Sequence, residues 1–278
     1  MLHLCAKLPV SASNRVFILG LCLWTLSALS HAACSRPITV AASPLGLNMR
    51  ISPQGNISGL DVDYLKKISN ISGCEFKFIQ VSRIRGLTMF EHDEIEVLTS
   101  ASKTPGRDAH GWFSPFAEAS PALITLRGAY PNPHKALYDG RIVLNIVLGY
   151  DFSAEYRDLV DMLGKKNLLE KVSDPATAIK KVLTRHGDAF IIPAPAAAYI
   201  IKELNLDTAD FNITPLSDWS KLEYGLYLNK SKISKQDMEL LKVAARNRKL
   251  IDDTWVEFNA LTPAWGMVGV FKAGSKQR

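Results

Sequence analysis

The chain has 278 residues, 47% of them hydrophobic and 22% charged, enough apolar surface for a core and above the usual size of one compact domain. Its formal charge of +6 comes from 33 basic against 27 acidic residues scattered along the chain. With no basic stripe and no interleaved aromatics, a nucleic-acid partner is not expected.

Residues 1–32 read as an export signal. Lys7 and Arg15 precede an apolar run over 16–29, and Ser30 and Ala32 frame a cleavage point that leaves Ala33 as the new N-terminus. The run is shorter than the ~20 residues of a bilayer-spanning helix, and nothing later approaches that length, so a soluble exported chain is expected. Loss of Lys7 and Arg15 leaves a mildly basic mature chain.

Cys5 and Cys22 leave with the signal, and Cys34 and Cys74 remain. Cys34 lies just before the first expected strand and Cys74 opens the second. If those strands are parallel neighbours, their starts share an edge and a disulfide is plausible. A lipidated Cys34 is the competing reading, weakened by His31 where a lipoprotein signal carries an aliphatic residue. A metal or redox pair lacks Cys-x-x-Cys spacing and a nearby histidine.

Along the mature chain the order is β-α-β-α-β. Strands are expected at residues 38–42, 74–81 and 95–100, with β-branched and aromatic residues suited to a sheet. Asp61 is positioned to cap a helix after Gly59, in which Val62, Leu65 and Ile68 form one buried face beside Lys66 and Lys67. Asp61 and Asp63 are therefore read as structural, since a calcium loop needs a glycine where Lys66 stands. A second α/β set starts near Leu123. It comprises a strand at 142–148, a helix capped by Asp174 with Pro175 in its first turn, a strand at 189–192 stopped by Pro193, and a helix over 194–204. A late strand at 224–228 and a polar helix from near Lys235 follow, and residues 128–134 and the turn at Asp218 suit two linkers.

The ordered motifs Ile38-Thr-Val-Ala-Ala, Gly59-Leu-Asp-Val-Asp, Gly73-Cys-Glu-Phe, Ser102-Lys-Thr-Pro-Gly-Arg107, Phe113-Ser-Pro, Gly187-Asp-Ala-Phe and Tyr224-Gly-Leu-Tyr resemble the family 3 extracellular solute-binding proteins of polar amino acid ABC transporters. The resemblance spans nearly the whole mature chain. It implies an α/β fold of the type II periplasmic-binding kind, two Rossmann-like lobes joined by two crossover strands. Lobe 1 is expected over 33–121 plus 229–278 and lobe 2 over 122–228. It also implies a periplasmic monomer that captures a small polar, carboxylate-bearing solute, without enzymatic activity, cofactor or metal, and passes it to an ABC transporter permease or a membrane sensor.

A guanidinium offers a rigid fork of donors that matches a carboxylate, and Arg107 follows the hydroxyls of Ser100, Ser102 and Thr104. By resemblance, Ser102 and Arg107 hold the ligand's carboxylate, with Gly149, Tyr150 and Asp151 on the opposing lip. From the residues alone, Arg107 is equally an arginine solvated on a loop. Arg83 and Arg85 fall in a helical stretch and read as surface charge. The family's ammonium-gripping aspartate is replaced by Pro193, leaving Glu118 or Asp151 as substitutes, and the loop at 43–49 lacks the usual ring. Trp112 and Tyr150 are the available rings, although Trp112 beside Phe113 and Phe116 also reads as a core aromatic.

No Gly-x-Ser-x-Gly, His-Glu-x-x-His or phosphate-loop motif is present, and the histidines are isolated in polar contexts. An enzyme on the same fold, resembling the periplasmic cyclohexadienyl dehydratases, needs only one positioned acid or base and stays as the alternative, as does an orphan or sensory binding protein.

Overall fold

Ile38–Ala42 (β1) is apolar on both faces and almost wholly buried, as an inner parallel strand requires. The structure is a computed structural model that describes residues 33–262, 264–267 and 270–273; the export signal expected over residues 1–32 lies outside them. A short ribbon, Arg50–Ile51 (β2) and Ile57–Ser58 (β3), leads into the crossover helix Leu60–Ser72 (α1). Its Leu65 and Ile68 are fully buried, each stabilising by roughly 1.5–3 kcal/mol. The helix stops at Gly73, whose φ of 72° suits a residue without Cβ.

Phe76–Gln80 (β4) returns parallel to β1, with Ile38 opposite Phe76. This strand starts two residues later than expected, because Cys74 stays in the preceding turn, disulfide-bonded to Cys34. Arg83–Glu91 (α2) crosses to Val97–Ser102 (β5), on the other side of β1. Here too the strand is displaced from the expected 95–100. The Glu96 carboxylate is buried and accepts from Arg36 and from the Thr39 amide, while pairing continues as far as Ser102 opposite Tyr224.

After Pro105–His110 (α3), a strand the sequence did not suggest, Gly111–Ala119 (β6), runs through Ser120 directly into Pro121–Leu126 (β7). Pro115 disguises β6, and the register shifts where Pro115 faces Gly225. β7 lies in a second sheet, so the first crossing is at Ser120 and not in the expected 128–134 turn, which leads to Pro133–Tyr138 (α4). The second sheet continues with Leu144–Val147 (β8), Ala154–Lys165 (α5), Leu169–Val172 (β9), Pro175–Leu183 (α6), Ala189–Pro193 (β10), Ala194–Glu203 (α7) and Phe211–Pro215 (β11). Its order is β11-β7-β10-β8-β9, with β10, β8 and β9 parallel.

Leu222–Asn229 (β12) returns to the first sheet between β5 and β6. The boundary expected at residue 228 therefore falls inside a strand of the first sheet, and the change of sheet lies over 216–221. Sheet membership is set by long-range pairing, which the local pattern of 224–228 does not carry. Lys235–Ala245 (α8) and Arg248–Leu261 (α9) pack beside α1, and Val270–Lys272 (β13) joins the edge of β6, giving the order β13-β6-β12-β5-β1-β4. Each sheet is covered on both faces. Leu65 and Ile68 of α1 and Leu241 of α8 pack on one side of the first, and Leu87 and Phe90 of α2 on the other. Ile179, Val182 and Ile201 pack on one side of the second, and Leu137, Tyr156 and Leu163 on the other.

Candidate functional site

A cleft holding about 150 Å³ opens between the two sheets. Six of the seven anticipated residues, Ser100, Ser102, Arg107, Gly149, Tyr150 and Asp151, line it. Arg107 reaches it from α3, where Pro105 occupies the first turn and Thr104 accepts from the Arg107 amide. The guanidinium folds back so that Nη1 donates to the Ser102 carbonyl at 2.7 Å and to its hydroxyl at 2.9 Å, and Nε is buried without a partner. The Ser102 hydroxyl donates in turn to the Asp151 carbonyl at 2.9 Å, linking the two walls. Gly149, at φ 82°, passes so close to α2 that a Cβ there would stand 3.0 Å from Ile84 Cδ1.

Ser100 sits in a β-bulge. Leu98 faces Tyr227 and Ala101 faces Gly225, so two residues of β5 stand opposite one of β12, and Ser100 adopts φ 44°. The kink turns the Thr99 and Ser100 carbonyls outward, where the Arg83 guanidinium donates to them at 3.2 and 3.1 Å. It also aims the Ser100 hydroxyl at Asp61, which it reaches at 2.8 Å while accepting from Asn48 at 2.9 Å.

Arg83 and Asp61 are the residues that sequence reasoning missed. Asp61 is not a cap: Gly59 holds that position without a side-chain bond, and Asp61 points inward, 4% exposed, from the stripe it shares with Leu65 and Ile68. Its Oδ2 has no partner, and burial pushes its carboxyl up to about 6, against the opposing pull of the Thr99 and Ser100 hydroxyls and of Arg83. The signal was its spacing of four and seven from two core residues. Arg83 stands at the first position of α2, where the helix dipole disfavours a cation, and that misfit was its signal. Burial and the nearby Arg107 bring its guanidinium down to about 10, still charged at neutral pH, and burial also lowers Arg107. Among the described residues, neither arginine has a carboxylate within ion-pairing distance.

Trp112 does not line the cleft. It stands at the far end of β6, opposite Leu228, packed on the first core with the Arg246 guanidinium 5.1 Å above its ring. Tyr150 does line it, and burial with the neighbouring Asp174 raises its hydroxyl to about 12. Glu118 is not among the lining residues, and the Asp151 carboxylate is held by Arg157 at 2.8 Å. Pro193 lines the cleft, so the β10 end offers no charge. No group of three or more histidine, cysteine or acidic residues suited to a metal is found among the described residues, and no described helix is long and apolar enough to cross a membrane.

A protein-family model for bacterial extracellular solute-binding proteins, family 3, matches residues 38–252. The chain belongs to that family. Solved structures agree on the fold, that of the type II periplasmic binding proteins. The chain is similar to a histidine kinase sensor domain resembling periplasmic binding proteins (16% identity, 83% of this chain and 99% of that one, TM-score 0.67). It is also similar to the arginine-, lysine- and histidine-binding protein ArtJ of Geobacillus stearothermophilus (18% identity, 82% and 97%, TM-score 0.66). A third is a histidine-bound substrate-binding protein of an ABC uptake transporter from Streptococcus pneumoniae (15% identity, 80% and 87%, TM-score 0.62). No curated protein matches the chain.

Proposed function

We propose that this family 3 protein captures a small carboxylate-bearing solute in the interlobe cleft and works as a periplasmic monomer, with Arg107 and Arg83 as the anchors. The observation that carries the reading is the pair of cleft-lining guanidiniums with no acidic partner. A desolvated, unpaired cation costs several kcal/mol, and a ligand carboxylate offsets that cost with bidentate, charge-assisted bonds. Asp61 Oδ2 supplies an acceptor for a hydroxyl or amine on the same ligand, taking the part of the family aspartate that Pro193 displaces. At neutral pH the Asp151 carboxylate is taken by Arg157, so two guanidiniums against the Asp61 carboxylate leave a net positive cleft, which favours an anion over a cation such as arginine or histidine.

A ligand touching both walls stabilises the closed arrangement held by the Ser102–Asp151 bond, and closure is the state that a membrane partner reads. The family and the uptake-transporter neighbour support a permease as that partner, and the sensor-domain neighbour supports a membrane receptor.

Thermal stabilisation of the mature protein by a panel of amino, hydroxy and keto acids and small amines tests the reading. A ligand at a hundred times its dissociation constant adds about 2.7 kcal/mol. Acids are expected to stabilise and simple amines not; stabilisation by amines alone overturns the assignment. A second reading, a dehydratase-like enzyme, is favoured by the Asp61 carboxyl near pH 6 in the cleft, and consumption of the stabilising acid, followed by mass spectrometry, would establish it.

A further inference from the structure

Besides its charged groups, the cleft has an apolar lining. On α9, Ile251, Thr254, Trp255 and Phe258 recur at three- and four-residue spacing, so they form one helical face, and that face lines the cleft. Thr254 adds no free donor there, because its hydroxyl donates to the Leu250 carbonyl at 2.8 Å. Trp255 and Phe258 stack with centroids 5.9 Å apart. Phe116 of β6, Val270 of β13 and Ile200 of α7 complete the compartment from three other elements. Between α9 and β13 the turn Ala264–Met267 packs on α7, where a Cβ on Gly266 would stand 2.8 Å from the Ala198 Cβ. Of the helical face, only Ile251 lies within the family match at 38–252; the rest is added by the segment beyond it.

Resting on the carboxylate reading above, we infer that the C-terminal segment builds a second, apolar subsite, so that the ligand is an amphipathic acid. Its carboxylate meets Arg83 and Arg107, and an aromatic or branched aliphatic body fills the space before Trp255 and Phe258. A short polar acid leaves that wall in contact with water, whereas a hydrocarbon body removes the apolar surface of both partners from solvent. The arrangement differs from a cleft lined by polar groups throughout, in which extra carbon adds nothing.

Calorimetric titration of the full mature chain with acids that share a head group and differ in body tests this. Lactate, 2-hydroxy-4-methylpentanoate and 3-phenyllactate form one series, and alanine, leucine and phenylalanine the other. In whichever series binds, the larger bodies are expected to bind about ten- to a hundredfold more tightly than the methyl member. Equal affinities across a binding series overturn the apolar subsite while leaving carboxylate capture intact. If no member of either series binds, carboxylate capture fails and the subsite falls with it. In Phe258→Ala the ratio between large and small bodies is expected to fall towards one; because the comparison in the unaltered protein decides by itself, a variant that does not fold leaves the test standing.

Discussion

The two walls of the cleft differ in what they bring to it. The wall built on the first sheet contributes the ionisable groups, buried Asp61 from α1 and Arg107 from α3 and half-buried Arg83 from α2, together with Ser100 and Ser102 of β5. The wall built on the second sheet contributes backbone, rings and proline: Gly149, Tyr150, the Asp151 carbonyl, Pro193 and Pro195. Its one cleft-lining carboxylate, on Asp151, is turned to Arg157. The difference teaches a division of labour in which the first wall selects the ligand's charge and the second covers it.

The sharpest way to break that comparison is to remove charge from the selecting wall. Arg107→Ala is expected to weaken acid binding by about 3–5 kcal/mol in calorimetry with the fold intact, since it leaves a buried anion without its partner. Asp61→Asn comes next and concerns stability. Because the folded carboxyl is raised from 3.8 to about 6, the folded state holds its proton more tightly than the unfolded chain. The resulting destabilisation is absent below pH ~4, grows up to pH ~6 and is complete above it, reaching about 3 kcal/mol. Denaturant melts from pH 4 to 8 are therefore expected to fall for the wild type relative to Asp61→Asn, and parallel curves for the two proteins would show that the buried carboxyl does not titrate there.

On the covering wall the effects are smaller and of another kind. Gly149→Ala places a Cβ at positive φ against Ile84, costing roughly 1–2 kcal/mol and weakening closure, read as a faster dissociation of the bound acid. Asp151→Ala removes only a half-exposed ion pair and keeps the backbone carbonyl that Ser102 uses, so affinity is expected to change by less than ~1 kcal/mol. A large loss in Asp151→Ala would erase the distinction between the walls.

How much of this was legible in the sequence follows from the range of the forces involved. Strands such as Ile38–Ala42 and Ala189–Pro193 show themselves by local composition, and the β-α alternation carries the fold class. Ser102 and Arg107 were reached through an ordered motif. Asp61 was read as a cap because a helix start explains an aspartate locally; only the bulge at Ser100, a product of pairing between β5 and β12, shows what it faces. Arg83 was set aside as surface charge for the same reason. β6 was hidden by Pro115, and the apolar face of α9 reads in sequence as an ordinary amphipathic stripe, with nothing to say that it borders a cleft.

The central claim, that Arg107 and the carboxylate of the ligand meet, is tested most directly by a double-mutant cycle in which one partner is the ligand. The best-binding acid and its carboxamide are titrated against the wild type and Arg107→Gln. A coupling of about 2 kcal/mol or more between the two changes is the result expected here. Additive changes, with the carboxamide losing as much in Arg107→Gln as the acid does, would contradict it.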